Sequence, residues 1–209
     1  MRPVSFRLAT LASLAFCASP AAAAVNVIPA HWTVVSTDGV AGVLRAGAPW
    51  GPGSTPSDLA APVDGVLEPE NQQWNNGSFW WDEDPSINAA PVHYTIQLDG
   101  LFTLNRFVVQ ADDNDAYLLE WWDGGAWQTA FSVAAVNTFG LVTRDSGTIA
   151  AITTDRLRFS ATGGDAYYGV SEIQAFAPVP EPAAWALLLA GFGLAGAALR
   201  HRRSVQTAS

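Results

Sequence analysis

Short apolar runs that alternate with polar residues, each closed by an Asp/Gly-rich turn, constrain this chain most. They recur along its middle, where no amphipathic helix longer than three turns can be traced. A period of two places alternate side chains on opposite faces of a strand, so the pattern demands β-structure. Candidate strands are 32–36, 40–45, 93–98, 101–110, 117–122, 126–132, 141–144, 156–161 and 168–176. Turn chemistry separates them at Asp99-Gly100, Asp123-Gly124-Gly125, Asp145-Ser146-Gly147 and Gly163-Gly164-Asp165. The clearest hairpin is the Asp123-Gly124-Gly125 turn between two aromatic runs. About nine short strands at this spacing predict an all-β fold, an antiparallel jelly-roll sandwich. Residues 47–70, rich in Pro, Gly and Ser, read as a long loop.

The two ends follow other rules. Arg2 and Arg7 precede the apolar stretch 8–16 and the small-residue run Ala21 to Ala24. This is the layout of a secretory signal peptide, 1–24, cleaved after Ala24, and it implies passage through the secretion translocon. Cys17, the single cysteine, leaves with the signal, so the exported body must be stabilised by its core rather than by disulfides. At the other end, Pro180-Glu181-Pro182 precedes 17 uncharged residues, 183–199, and then Arg200, Arg202 and Arg203. Seventeen helical residues reach about 26 Å, the short end of a bilayer crossing. The arginines favour the cytoplasmic side, which leaves 204–209 as a cytoplasmic tail. A GxGxxG string, Gly191 to Gly196, lies inside this apolar span rather than after a strand, so it does not signal dinucleotide binding.

This three-part end resembles the PEP-CTERM sorting signal of Gram-negative bacteria over 179–203. The resemblance implies that Pro180, Glu181 and Pro182 are the motif recognised by an exosortase, a membrane transpeptidase-like protease. It further implies that Arg200, Arg202 and Arg203 retain the tail. The protein is then held transiently in the inner membrane, cut, and delivered to the cell surface or the extracellular polysaccharide matrix.

The body, 25–178, holds five arginines against 18 acids, a net charge of −13, within a whole chain of −9. Such a balance argues against nucleic acid as a partner, because no basic patch replaces phosphate counterions. The body also resembles the discoidin-type, galactose-binding-like jelly roll. The matching pieces are Asp64-Gly65, the Trp80-Trp81 region, strands 93–98 and 101–110, the run 117–122 with its Gly-Gly turn and Trp127, and the closing Gly169 to Phe176.

Two constellations carry candidate chemistry. Asp112, Asp113 and Asp115, with Asn114 among them, pack oxygen donors of the kind that Ca²⁺ takes six to eight of. Cation sites near loops are common in the galactose-binding-like fold, so the resemblance supports the same expectation. Trp80 and Trp81, with Asp82 and Asp84, mix aromatic faces with hydrogen-bonding carboxylates, a combination suited to glycans. With two adjacent tryptophans in a strand, one is expected inward and one outward, and the same holds for Trp121-Trp122. Catalysis has little support. The body's two histidines, His31 and His93, lie near no nucleophile elbow or HExxH pattern. An acidic pair, Glu68 with Glu70 or Asp82 with Asp84, leaves a glycoside hydrolase as the alternative, provided the fold holds the pair roughly 5–10 Å apart. The expected role is therefore non-catalytic: glycan binding, or a structural part in exopolysaccharide and biofilm.

Overall fold

In the computed structural model of the chain, the residues described are 24–38, 45–46, 59–83, 91–178 and 190–196. The chain divides into two units, Ala24–Pro178 and the two termini together. Of the termini, 190–196 are helical and exposed. Among the described residues no helix is long and apolar enough to cross a membrane; most of the expected span, 183–199, lies outside them.

The unit Ala24–Pro178 is an antiparallel sandwich of two five-stranded sheets. The strands are β1 (Trp32–Asp38), β2 (Arg45–Ala46), β3 (Phe79–Asp82), β4 (His93–Leu104) and β5 (Arg106–Asp112). They continue with β6 (Ala116–Trp122), β7 (Trp127–Val133), β8 (Leu141–Asp145), β9 (Ile152–Gly163) and β10 (Tyr167–Phe176). One sheet has the order β1-β4-β9-β6-β7, the other β2-β3-β10-β5-β8. The all-β expectation holds, and the closing strand is β10, central in its sheet.

The hairpin expected at Asp123-Gly124-Gly125 joins β6 to β7. Asp123 Oδ1 accepts the N–H groups of Gly125 and Ala126, each at 2.8 Å. The Asp99-Gly100 turn is not there. The chain runs on as β4 and changes sheet at Asn105 instead. Against β9 the pairing jumps from Gln97↔Arg156 to Phe102↔Thr154, so the four residues Leu98 to Leu101 oppose one in a bulge.

The core between the sheets takes one parity from each strand. Tyr94, Ile96, Tyr117, Leu119, Leu157 and Phe159 come from the first sheet, and Phe79, Trp81, Phe107, Val109, Ile173 and Ala175 from the second. In the first sheet burial alternates along β4, so its outer face is open. In the second, β3 is buried at every position and β5 at all but its first. The reason is a cover. Residues 65–78 lie across the outer face of β10 and β5: Gln110 on β5 accepts Glu68 N–H at 2.7 Å and donates to the Glu68 carbonyl at 2.8 Å. Glu172 on β10 accepts Gly65 N–H at 3.2 Å. Gly169 leaves no room for a side chain, since a Cβ there would meet the Trp74 carbonyl at 2.8 Å.

The ends of the sandwich are tied without a disulfide. Val27 N–H donates to the Ala175 carbonyl at 2.8 Å, Asn26 Oδ1 accepts Ala175 N–H at 3.0 Å, and Asn26 bridges Phe176.

Candidate functional site

The cover overturns the expected glycan platform. Trp80 and Trp81 are 0% and 1% exposed, so neither offers a face to a ligand. Trp81 points between the sheets, against Tyr117, Phe159 and Tyr168. Trp80 points outward, as period two requires, but Trp74 lies edge-on against it at 5.2 Å. Asp82 is buried as well. Asp84 lies outside the described residues. Glu83 is committed to structure, accepting the Trp81 indole N–H and Val92 N–H at 2.9 Å each. Glu68 and Glu70 likewise hold the cover: Glu68 accepts from Gln72, and Glu70 from Gln110 and from Thr143.

The acidic run lies at the end of β5 and in the turn to β6. Among the described residues no group of three or more His, Cys, Asp or Glu placed to hold a metal ion is found. Asp112 Oδ1 accepts its neighbour's Asp113 N–H at 2.8 Å. Asp115 turns inward, taking the Tyr117 hydroxyl at 3.1 Å and Asp165 N–H at 3.3 Å. Burial, reinforced by Asp115, pushes the Asp112 carboxyl up to about 8. Burial, reinforced by Asp165, pushes Asp115 up to about 7. Arg144 is buried beside them, its guanidinium 5.9 Å from the Tyr117 ring.

What the fold does assemble is a surface cleft of about 380 Å³, lined by Gln73, Trp74, Asp112, Asp113, Asn114 and the segment from Asn137 to Gly140. Three loops meet there: the cover before β3, the β5–β6 turn and the β7–β8 connection. Asp113 O accepts the N–H groups of Val136 and Asn137, at 2.8 and 3.2 Å, which fixes two of the walls together. The third is fixed by Gly140. Asn71 N–H donates to Leu141 O and Leu141 N–H to Gln72 O, both at 2.8 Å. Gly140 has φ of +63°, and a Cβ would sit 1.9 Å from the Gln72 carbonyl, so only glycine permits this approach. Phe139 is 57% exposed at the rim. The cleft thus combines aromatic surface, amides and carboxylates, the mixture expected at Trp80-Trp81 but built elsewhere. Of its residues, the sequence singled out Asp112, Asp113 and Asn114. The available signal for the rest was Phe139, a lone aromatic in the short connection 134–140 that ends in glycine.

The sorting residues Pro180, Glu181, Pro182, Arg200, Arg202 and Arg203 lie outside the described residues, and Ala24, the expected cleavage point, is the first described one.

With fold and cleft in place, the body is an antiparallel β-sandwich with solved likenesses among family 32 carbohydrate-binding modules. The module from C. perfringens NanJ, solved with galactose, aligns with a TM-score of 0.49 at 10% identity, over 74% of this chain and 99% of that one. The module from Streptococcus pneumoniae EndoD gives 0.45 at 13%, over 74% and 100%. SpGH29 gives 0.47 at 16% over 73% of this chain, which spans 28% of that protein's length. At these identities the likeness is one of fold. No curated protein sequence matches the chain. The chain carries a PEP-CTERM protein-sorting motif at residues 178–203. That motif marks an exported protein with a C-terminal sorting signal and implies processing by an exosortase.

Proposed function

We propose that this is a surface-destined glycan-binding protein whose sandwich carries one non-catalytic sugar cleft and whose tail is removed by an exosortase. The observation that carries the reading is the cleft itself, where Trp74 and Phe139 stand beside Asp112, Asp113, Asn114 and Asn137. Sugars present apolar ring faces to aromatic side chains and hydroxyls to amides and carboxylates, and sites of this kind are concave with a few placed polar groups. In this reading residues 1–24 are the signal peptide, 25–178 the binding body, and 179–203 the tail with its span at 183–199. The natural ligand is extracellular polysaccharide, met after passage through the translocon and a transient stay in the inner membrane.

Calcium stays in the reading as the ion expected at Asp112, Asp113 and Asp115, a run dense in the oxygen donors of which Ca²⁺ takes six to eight.

A glycan array probed with the wild-type chain and with Phe139→Ala tests the cleft. Phe139 is exposed, so its loss leaves the fold intact. Binding that disappears in the variant supports the assignment, and a blank array for the wild type, with and without Ca²⁺, overturns it. For the tail, Glu181→Ala is expected to block processing; unchanged delivery to the surface would reduce the tail to a plain anchor.

A further inference from the structure

The two sheets end in four edge strands, β1 and β7 in the first and β2 and β8 in the second. An edge strand carries a row of unpaired N–H and C=O groups, and proteins blunt it with charge, proline, brevity or a cover. β2 has only two residues. β8 is sealed by the cover: Leu141 N–H donates to Gln72 O at 2.8 Å and Thr143 N–H to Glu70 at 3.2 Å. β1 ends in the charged Asp38, and the chain beyond it, 39–44, lies outside the described residues. β7 has none of these protections. Among the described residues its backbone pairs with β6 alone. It contains no proline and sits in an uncharged run of 20 residues, 124–143, the longest in 25–178. Gln128, Thr129 and Ser132 are exposed along it.

Its one irregularity is a bulge at Ala130, where the pairing steps from Leu119↔Phe131 to Glu120↔Thr129. That step sets which residues share a face. Phe131 and Val133 oppose Leu119 and Tyr117 and turn toward the core, and Gln128 opposes Trp121 on the same side. Trp127, Thr129 and Ser132 oppose Trp122, Glu120 and Leu118 on the outer side. A second β7, run antiparallel about a two-fold axis between Ala130 and Phe131, then matches the first. Thr129 of one copy falls opposite Ser132 of the other, hydroxyl against hydroxyl on the outer side. Gln128 falls opposite Val133, Phe131 opposite Ala130 and Trp127 opposite Ala134, so each aromatic meets an alanine. Without the bulge, this register would set inner residues against outer ones. Charge points the same way. The body carries −13, so an identical copy is repelled least at an uncharged edge.

We propose that β7 is a self-association edge. Two copies pair antiparallel along it, joining their first sheets into one ten-stranded sheet through an isologous two-fold contact. The edge runs on through 134–140 into a wall of the cleft, so the dimer carries two clefts. The pairing stands apart from the reading of the cleft as a glycan site, and only its consequence rests on that reading. A polymer of repeated sugars is then held at two points and gains by avidity.

The test is sedimentation equilibrium of the full chain in density-matched detergent. The wild type is expected to dimerise, and more tightly as salt rises from roughly 50 to 500 mM, because salt screens the repulsion between like-charged bodies. A first variant, Thr129→Lys with Ser132→Lys, sets lysine opposite lysine and is expected to weaken association about tenfold or more. A second, Thr129→Lys with Ser132→Glu, sets lysine opposite glutamate in the same register and is expected to restore it. Both positions are exposed, so both variants should melt within about 2 °C of the wild type. Ser36→Lys, on the β1 edge, is expected to change nothing. A monomeric wild type overturns the proposal. So does a first variant that associates like the wild type, which places the contact in the tail. A second variant as weak as the first also overturns it, as does dissociation by Ser36→Lys, which places the contact on β1. On immobilised polysaccharide the first variant is expected to wash off about tenfold faster than the wild type. Equal retention overturns the bivalent consequence and leaves the pairing standing.

Discussion

Two tryptophan pairs, Trp80-Trp81 and Trp121-Trp122, begin as equals in the sequence and end differently. Both sit in strands, and in both one indole turns into the sandwich. On β6 the outward one, Trp122, stays half-buried on an open sheet face. There it meets Trp127 at 5.3 Å, and the Arg156 guanidinium lies 5.6 Å from its ring. On β3 the outward one, Trp80, vanishes under the cover of 65–78. The difference lies in what the neighbouring chain does rather than in the strand. The second sheet is closed by an irregular segment on the side away from the core, and that segment in turn supplies one wall of the cleft.

The comparison can be broken by mutation. Trp81→Ala should destabilise the body most, by about 3–5 kcal/mol in urea unfolding, since it empties the centre of the core. Trp122→Ala should cost about 1 kcal/mol or less, the size of an exposed cation–π contact. Equal losses would show that the first sheet's outer face is covered too. Gly140→Ala comes next, at roughly 1–3 kcal/mol for a left-handed residue forced against a carbonyl. It should also abolish sugar binding, because the cover separates from the β7–β8 connection. If binding survives, the cover is not a wall of the cleft.

A pH prediction separates the two sheets further. The carboxyls of Asp112, Asp115 and Glu172, held at about 8, 7 and 8, all belong to the covered sheet or to the turn that leaves it. The groups facing the turn are Asp113, Asp165, Arg144 and Tyr117. A carboxyl raised in the folded state binds its proton more tightly there than in the unfolded chain. Stability is then highest near pH 4 and falls as pH rises toward 8. In metal-free buffer the melting temperature should drop by roughly 5 °C between about pH 5 and pH 8.5. Asp112→Asn should reduce that slope, and a flat profile would refute the buried-carboxyl account. The smallest effect is expected for Phe139→Ala, within about 0.5 kcal/mol of wild type in stability, with its loss appearing only in sugar binding.

Much of the architecture was legible because it is local. The Asp123 hairpin, the alternation along 93–98 and 156–161, and the closing run 168–176 each follow from side-chain period and turn chemistry. Two features were not. Asp99-Gly100 carries turn chemistry, yet the ladder on either side of it continues, and the extra residues leave as a bulge. The fate of Trp80 depends on residues 65–78, whose hydrogen bonds run to Gln110 and Glu172 far along the chain. The cleft is harder still to read, being the meeting of residues 73–74, 112–114 and 137–140. Nothing in any one of these loops announces the other two.

The knot of Asn26, Val27, Ala175 and Phe176 has a mechanical consequence. The sorting motif begins at residue 178, just past the end of β10. A pull arriving through the tail therefore enters a strand with neighbours on both sides, β5 along one edge and β3, then Asn26, along the other. Its hydrogen bonds would be loaded together in shear instead of being peeled one at a time from a sheet edge. A load on the C-terminal end is thereby shared across the whole strand rather than released bond by bond.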